Sequence, residues 1–300
     1  MMNFDYEKLK TVGRTSAKAL SYAQSAISPD KKLSDIAADI EKYIEEQGFS
    51  QSFPVNLSID NEAAHYTPTF NDQRTVGKDS VIKIDLGARK DTYLTDCAAT
   101  VCVGSGDNRL YEASAKALNN AISLVRSGRK VNEIGREIEK TAVSYGFKPI
   151  RNLGGHGIGE HELHADIFIP NFDNGDSTAL EDGQVIAIEP FMTNGEGYVE
   201  DGENIEIFQK TGSNQVRSRD AREIAGFIDS NYGPYPFAVR WLGKEMEKLS
   251  EFGIRRALAE LSAAGNIEQF PVLRERKGGF VAQAEKTMIV NGDSCIALNG

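Results

Sequence analysis

The sequence predicts an α/β protein in which duplicated helix pairs pack on a curved, largely antiparallel sheet, with a helical subdomain inserted late in the chain. Three observations carry this. The chain contains an internal repeat of helical pattern, strand-like runs separate and follow the two copies, and residues 209–270 break the rhythm. Residues 16–49 and 114–147 align without gaps at an offset of 98, with 14 identities in 34 positions. Ser16-Ala17-Lys18-Ala19-Leu20 recurs as Ser114-Ala115-Lys116-Ala117-Leu118, and Gly48-Phe49 recurs as Gly146-Phe147. Ala, Lys and Glu are common in any helix, but an unbroken register ending on the same Gly-Phe favours duplication.

Each copy reads as two helices. In the second, Tyr111, Ala115, Leu118, Ile122 and Val125 recur at helical spacing and stop near Gly128, and Ile134, Ile138 and Ala142 mark a helix ending at Gly146. Strands are expected at Val81–Leu86, Thr92–Val103, Gln184–Ile188, Gly197–Phe208 and Gly279–Val290. Between 209 and 270, Gln215–Ile228 and Pro236–Leu261 read as helices around a turn-rich Asp229–Pro236, with Phe237, Trp241, Leu242 and Leu249 as apolar anchors. Residues 1–208 and 271–300 then form the main domain around a helical insert at 209–270.

At 300 residues and 40% hydrophobic, the chain can bury a sizeable core. Asp and Glu outnumber Lys and Arg by 44 to 34, a charge of −10 that disfavours nucleic acid as the primary ligand. Carboxylates are, however, natural ligands for hard cations. Cys97, Cys102 and Cys295 show neither CxxC spacing nor a paired framework, which fits a reducing compartment. The start MMNFDYEKLK lacks the apolar core of a signal peptide, and no stretch approaches a membrane span of about 18 apolar residues. A soluble, cytoplasmic protein is expected.

The most informative segment runs from Val81 to Asp96. It reads as strand, turn, strand, and a turn about Lys90–Asp91 would set Asp85 opposite Asp96. Two like charges on one face repel, and cations between them are one reason to keep the pair. The competing reading, a solvated face, sits poorly with Ile82, Ile84, Cys97 and Ala98 around them.

Three of the four histidines cluster in Gly154-Gly-His156-Gly-Ile-Gly-Glu-His161-Glu-Leu-His164. A lone His is usually structural, but flanking glycines let backbone approach a ligand closely. His161 and His164 are three apart, not the four of a zincin helix, and His161 reads as an exposed neighbour. Glu189 and Glu285 lie in apolar strands, where exposure before Pro190 and pairing with Lys286 are the respective bland readings. Gly104-Ser-Gly106 lacks the third glycine of a dinucleotide loop, and no GxxxxGK[ST] or GxSxG motif occurs.

Taken in order, Phe53-Pro54, Asn61-Glu-Ala-Ala-His65-Tyr-Thr-Pro68, Ile84-Asp85-Leu-Gly87, Thr95-Asp96-Cys97, Gly155-His156, Ile188-Glu189 and Ala282-Gln-Ala-Glu285 resemble the motifs of the type II methionine aminopeptidases, of the pita-bread fold, in their short, archaeal-style form. The resemblance implies a dinuclear metallo-aminopeptidase that removes N-terminal methionine and prefers a small second residue. It implies metal roles for Asp85, Asp96, His156, Glu189 and Glu285, with two divalent ions (Co, Mn, Fe(II) or Zn). Asp96 and Glu285 would bridge both ions, Asp85 would chelate one, and His156 and Glu189 would bind the other. It further implies proton transfer by Glu189, stabilisation of the tetrahedral intermediate by His164 and substrate placement by His65. Phe53, Leu163, Phe191 and Phe270 would wall an apolar pocket.

Type II members carry a helical insert between the last two glutamate ligands. The interval here is 285 − 189 = 96 residues, and Phe237-Ala-Val-Arg-Trp241-Leu resembles the insert's own motif. The implied partners are nascent polypeptide N-termini and the ribosome that presents them, for a monomeric enzyme. Lys286 departs from the family, in which many members carry His after the last glutamate. Prolidase-like enzymes share the fold but usually carry an N-terminal domain, for which the roughly 50 residues before Phe53 leave no room. A metal-free binding protein on the same scaffold is the rival of another class; such proteins typically lose ligand positions that this chain keeps.

Overall fold

The computed structural model describes residues 5–104 and 108–299; the start at Met1–Phe4 and part of the Gly104–Gly106 stretch lie outside the described residues. Helix α1 spans Tyr6–Ala26 and α2 spans Leu33–Glu46, while α3 and α4 span Arg109–Ile122 and Val131–Ser144. The limits of α2 and α4 differ by the repeat offset at both ends. The residue before each makes an equivalent bridge, Lys32 to Thr75 and Lys130 to Ala179. Duplication therefore extends from sequence to local structure. Ile36, Ile40 and Ile44 on α2, like Ile134 and Ile138 on α4, are wholly buried. Each such side chain contributes about 1.5–3 kcal/mol.

The central sheet contains β1 (Asn56–Ile59), β2 (Val81–Leu86), β3 (Cys97–Cys102), β4 (Gly154–Gly159), β5 (Glu162–Pro170), β6 (Val185–Ile188), β7 (Glu285–Asn291) and β8 (Ser294–Ala297). Their spatial order is β5-β4-β6-β7-β3-β2-β1, with β8 against β7, and every pairing is antiparallel. Side chains alternate across a strand, so each strand divides its residues between two faces. Ile82, Ile84 and Leu86 face α1 and α2, while Ile186, Ile188, Met288 and Val290 face α3 and α4. Leu86, Cys97, Lys286 and Ile188 form one row across four strands, so both helix pairs cover the same side of the sheet. The opposite face is left to other work.

Two expectations change. The helix expected at Gln215–Ile228 begins later, as α5 (Arg219–Asn231), because the Ser218 hydroxyl caps it by accepting from the Ala221 N–H. The single helix expected at Pro236–Leu261 is three pieces. Phe237–Ala238 pairs as strand with Ile207 and Phe208, α6 covers Val239–Glu245, and α7 covers Glu251–Ala263. The Ser250 hydroxyl accepts from the Gly253 N–H and starts α7 afresh. Helices α5–α7 lie between the paired strands Val199–Lys210 and Ile267–Glu275 and share a core of their own that includes Ile224, Phe237, Leu242, Ile254 and Leu258. They are tied to the first helix pair through Glu41, which accepts from Arg240 and, at 3.1 Å, from the Trp241 indole. Among the described residues no helix is long and apolar enough to cross a membrane.

Candidate metal centre

The face of the sheet turned away from α1–α4 gathers the acidic residues. Asn56 pairs with Asp85, Asp85 with Ala98, and Ala98 with Glu285, so Asp85 and Glu285 stand in one row across β2, β3 and β7. Asp96 lies two residues from Ala98 and shares its face. Ile188 pairs with Lys286, so the next step in that register brings Glu189 beside Glu285, and His156 pairs with Ala187 on the same side. Alternation thus turns Glu285 into the site and Lys286 to the helix side, which disposes of the simple Glu285–Lys286 pairing.

The hairpin register differs from the sequence expectation. Asp85 lies opposite Ala98 rather than Asp96, because the turn falls one residue later. Lys90 pairs with Tyr93, and Asp91 takes the left-handed turn conformation with φ of 54°. A short polar side chain tolerates that region. Moving the turn by one residue moves the pairing by two, so both aspartates keep the same face and the Asp96 charge still acts on the Asp85 carboxyl. At Gly87 a Cβ would meet the Thr95 carbonyl oxygen at 2.0 Å, so the strand can cross here only without a side chain.

One donor atom each from Asp96, His156 and Glu285 lies within 4.8 Å of the others. The His156 Nε2 is 3.6 Å from Asp96 Oδ2 and 3.9 Å from Glu285 Oε1. The other ring nitrogen, Nδ1, is 3.0 Å from the Gly157 carbonyl. Donation from Nδ1 to that carbonyl leaves the Nε2 lone pair facing the carboxylates, the tautomer a metal ligand requires. Gly155 lets β4 approach β6, since a Cβ there would meet the Ala187 carbonyl oxygen at 2.2 Å. Thr287 anchors Asp96, accepting from its N–H at 2.8 Å and donating to its carbonyl at 2.7 Å.

Burial, followed by the Asp96 charge, pushes the carboxyls of Asp85, Glu189 and Glu285 well above their usual range. Neutralising cations would relieve both causes at once. Asp85 Oδ1, Asp96 Oδ1 and Glu285 Oε1 are buried and accept no hydrogen bond from the described residues. Buried acceptors are normally satisfied. Four carboxylates and one imidazole with open oxygens fit divalent cations better than any internal partner.

The candidate substrate residues converge on the same cavity. Phe53, His65, Leu163, His164, Phe191 and Phe270 line it together with Asp85, Asp96, His156 and Glu189. His164 lies where the β4–β5 pairing shifts register, and such bulges re-aim a side chain. Its ring stands edge-on to His156 at 4.4 Å between centroids. Desolvation within the cavity, with His156 and His65 adding to it, lowers the His164 pKa although the ring keeps surface open to solvent, and this favours the neutral form at pH 7. His65 sits at φ of 65°, with Nδ1 3.1 Å from the Pro271 carbonyl and its ring edge-on to Phe270. Burial lowers its pKa as well. His161 stays outside the cluster, with Nδ1 2.6 Å from the Tyr235 hydroxyl.

Sequence reasoning missed Asn56, Ile207 and Pro236 in the cavity wall, and it gave Gln283 no task. Asn56, Ile207 and Pro236 become neighbours only through strand pairing and the docking of distant segments. Gln283 had a usable signal: it is two residues from Glu285, so an extended strand sets both on one face.

Residues 7–225 match metallopeptidase family M24. A methionine aminopeptidase of Thermococcus onnurineus is 43% identical over 285 residues, covering 95% of this chain and 96% of that protein. The structure also resembles that of a thermophilic Arx1, with a TM-score of 0.86 at 20% identity over 98% of this chain and 90% of the other. It resembles the methionine aminopeptidase of Thermotoga maritima with a TM-score of 0.72 at 20% identity, over 100% and 98% of the two chains. These structural likenesses establish the pita-bread architecture, and the sequence matches establish kinship. A cage of acidic residues about one imidazole, on the face of a duplicated antiparallel sheet turned away from its helix pairs, is thus the setting of a divalent-metal hydrolase: the chain belongs to metallopeptidase family M24 and, within it, to the methionine aminopeptidases of the short archaeal form.

Proposed function

We infer that Asp85, Asp96, His156, Glu189 and Glu285 hold two divalent cations, and that this centre removes N-terminal methionine from peptides and nascent proteins, preferring a small second residue. The observations that carry the reading are an open buried oxygen on each of Asp85, Asp96 and Glu285 and the cluster in which Asp96, His156 and Glu285 bring donor atoms within 4.8 Å of one another. Four carboxylates and two divalent ions bring the site near neutrality. When bound, Mn, Fe(II), Co or Zn in such a ligand set polarises a carbonyl and lowers the pKa of water towards about 7.

The chain's own side chains supply the rest. Glu189 takes a proton on its carboxylate from the attacking water and returns it to the leaving amine nitrogen. His164, neutral at pH 7, donates an N–H to the oxygen that gains charge in the transition state. His65 orients the substrate backbone. Phe53, Leu163, Phe191 and Phe270 exclude water and accept a linear thioether, whose sulfur packs well against aromatic edges. Residues 209–270 act as the type II insert, and their Pro236 and Phe270 complete the wall. The reading includes a cytoplasmic monomer acting on N-termini as they leave the ribosome, in keeping with three cysteines that lack CxxC spacing and a net charge of −10.

Release of methionine from Met-Ala-Ser should stop on chelation and return on adding individual divalent metals, whereas X-Pro peptides should stay intact. No release with any metal, or preferential X-Pro cleavage, would reject this function. His164→Ala should lower kcat by about 100- to 1,000-fold with metal content unchanged. A parallel loss of metal would contradict the assigned role.

A further inference from the structure

We propose that Gln283 is a positioning residue for the metal centre: its side-chain amide gathers Glu189, Glu285 and Asp85 and fixes the orientation of their carboxyl groups. This rests on the two-cation reading above. Gln283 is fully buried, and its Nε2 lies 3.2 Å from Glu189 Oε2, 3.2 Å from Glu285 Oε2 and 3.4 Å from Asp85 Oδ2. An amide nitrogen carries two hydrogens, so it can donate fully to two acceptors and share weakly with the third. The distances match that division, with Asp85 the farthest. The arrangement also fixes the amide's orientation, since a carbonyl oxygen turned towards three carboxylates would be repelled.

The bonded and open oxygens fall at opposite ends of the same groups. Gln283 uses Oδ2 of Asp85 and Oε2 of Glu285, whereas Asp85 Oδ1 and Glu285 Oε1 are the buried atoms that accept no hydrogen bond from the described residues. Glu285 Oε1 is also the atom 3.9 Å from the His156 Nε2. The amide thus holds one oxygen of Asp85 and one of Glu285 and leaves the other of each without a hydrogen bond from the described residues.

Gln283 is itself held rigidly. The Thr100 hydroxyl donates to its carbonyl at 2.7 Å and accepts from its N–H at 2.8 Å. On its other side Gln283 pairs with Phe191, two residues beyond Glu189. A donor fixed to strands on both sides can hold carboxylates that would otherwise repel one another. If Gln283 were only filling space, an unbranched apolar residue of similar length would serve equally well.

The test compares the parent chain with Gln283→Met, which keeps length without donors, and Gln283→Glu, which keeps shape and replaces the donors with an acceptor. Binding of Mn(II) to metal-free protein is measured calorimetrically, the Co(II) visible spectrum reports ligand geometry, and circular dichroism reports folding. Both variants should lose about 10- to 100-fold in metal affinity and show a changed Co(II) band. A loss below about fivefold with an unchanged band, in either folded variant, overturns the inference. If one variant fails to fold, the other decides by the same readouts. A parent that binds no divalent metal would instead refute the two-cation reading, so the two failures are distinguishable.

Discussion

Glu189→Ala is expected to lower kcat for Met-Ala-Ser by at least about 1,000-fold and to reduce tight metal binding from two ions to one. The residue ends an apolar strand just before Pro190, so its backbone position does not depend on its own side chain. Its carboxyl shares the Gln283 amide with Glu285 and feels the charges of Asp96 and Asp85, which with burial raise its proton affinity. A carboxylate held beside the reacting atoms can accept a proton from water and pass it to the leaving nitrogen. Alanine removes both the proton carrier and a ligand oxygen. Calorimetric stoichiometry with steady-state rates checks the two effects separately, and full activity in the variant would refute Glu189 as the proton carrier.

The metal-free protein should carry a stability cost from Asp85, Glu189 and Glu285 that grows as pH rises. Their folded pKa values lie well above the ordinary 3.8 and 4.5, so the folded state binds more protons than the unfolded state above those values. Stability from these groups therefore falls as pH climbs from the ordinary carboxylate range through the raised one. Two other groups act in the opposite sense. His164, lowered to about 3, adds stability as pH rises towards 6.5, and Lys83, lowered to about 7 mainly by burial, adds it from there towards 10.5.

The comparison that isolates the cluster is parent against the Asp85→Asn, Glu285→Gln double variant. Without metal, the variant should gain in melting temperature over the parent as pH moves from 5 to 8. With Mn(II), the parent should gain more at pH 8 than at pH 5, while the double variant gains little. Equal pH slopes in the two metal-free proteins would show that the destabilising charges lie elsewhere. The expectation illustrates a general conflict: charges gathered for a cation oppose folding until the cation arrives.

Much of this was readable along the chain because periodicity is local. The second helix of each repeat copy has limits displaced by the repeat offset, since both carry the same apolar spacing and the same terminal Gly-Phe. The segment Pro236–Leu261 misled because its apolar residues suit either a strand or a helix, whereas the Ser250 hydroxyl caps a new helix by accepting from the Gly253 N–H. The metal-ligand candidates were legible as a set through the family resemblance of their motifs, with carboxylates in apolar strands pointing the same way because they are costly without partners.

The primary structure alone determined residue types, strand parity and the duplicated helices, because these follow from spacing of two or 3.6 residues. Only the tertiary structure decided that Asp85 faces Ala98, that the Gln283 amide meets three carboxylates, and that Pro236 and Phe270 close a pocket begun by Phe53. Those outcomes depend on where one turn falls and on how strands far apart in the chain pair. Such choices are settled by the packing free energy of the whole sheet, not by any segment of it.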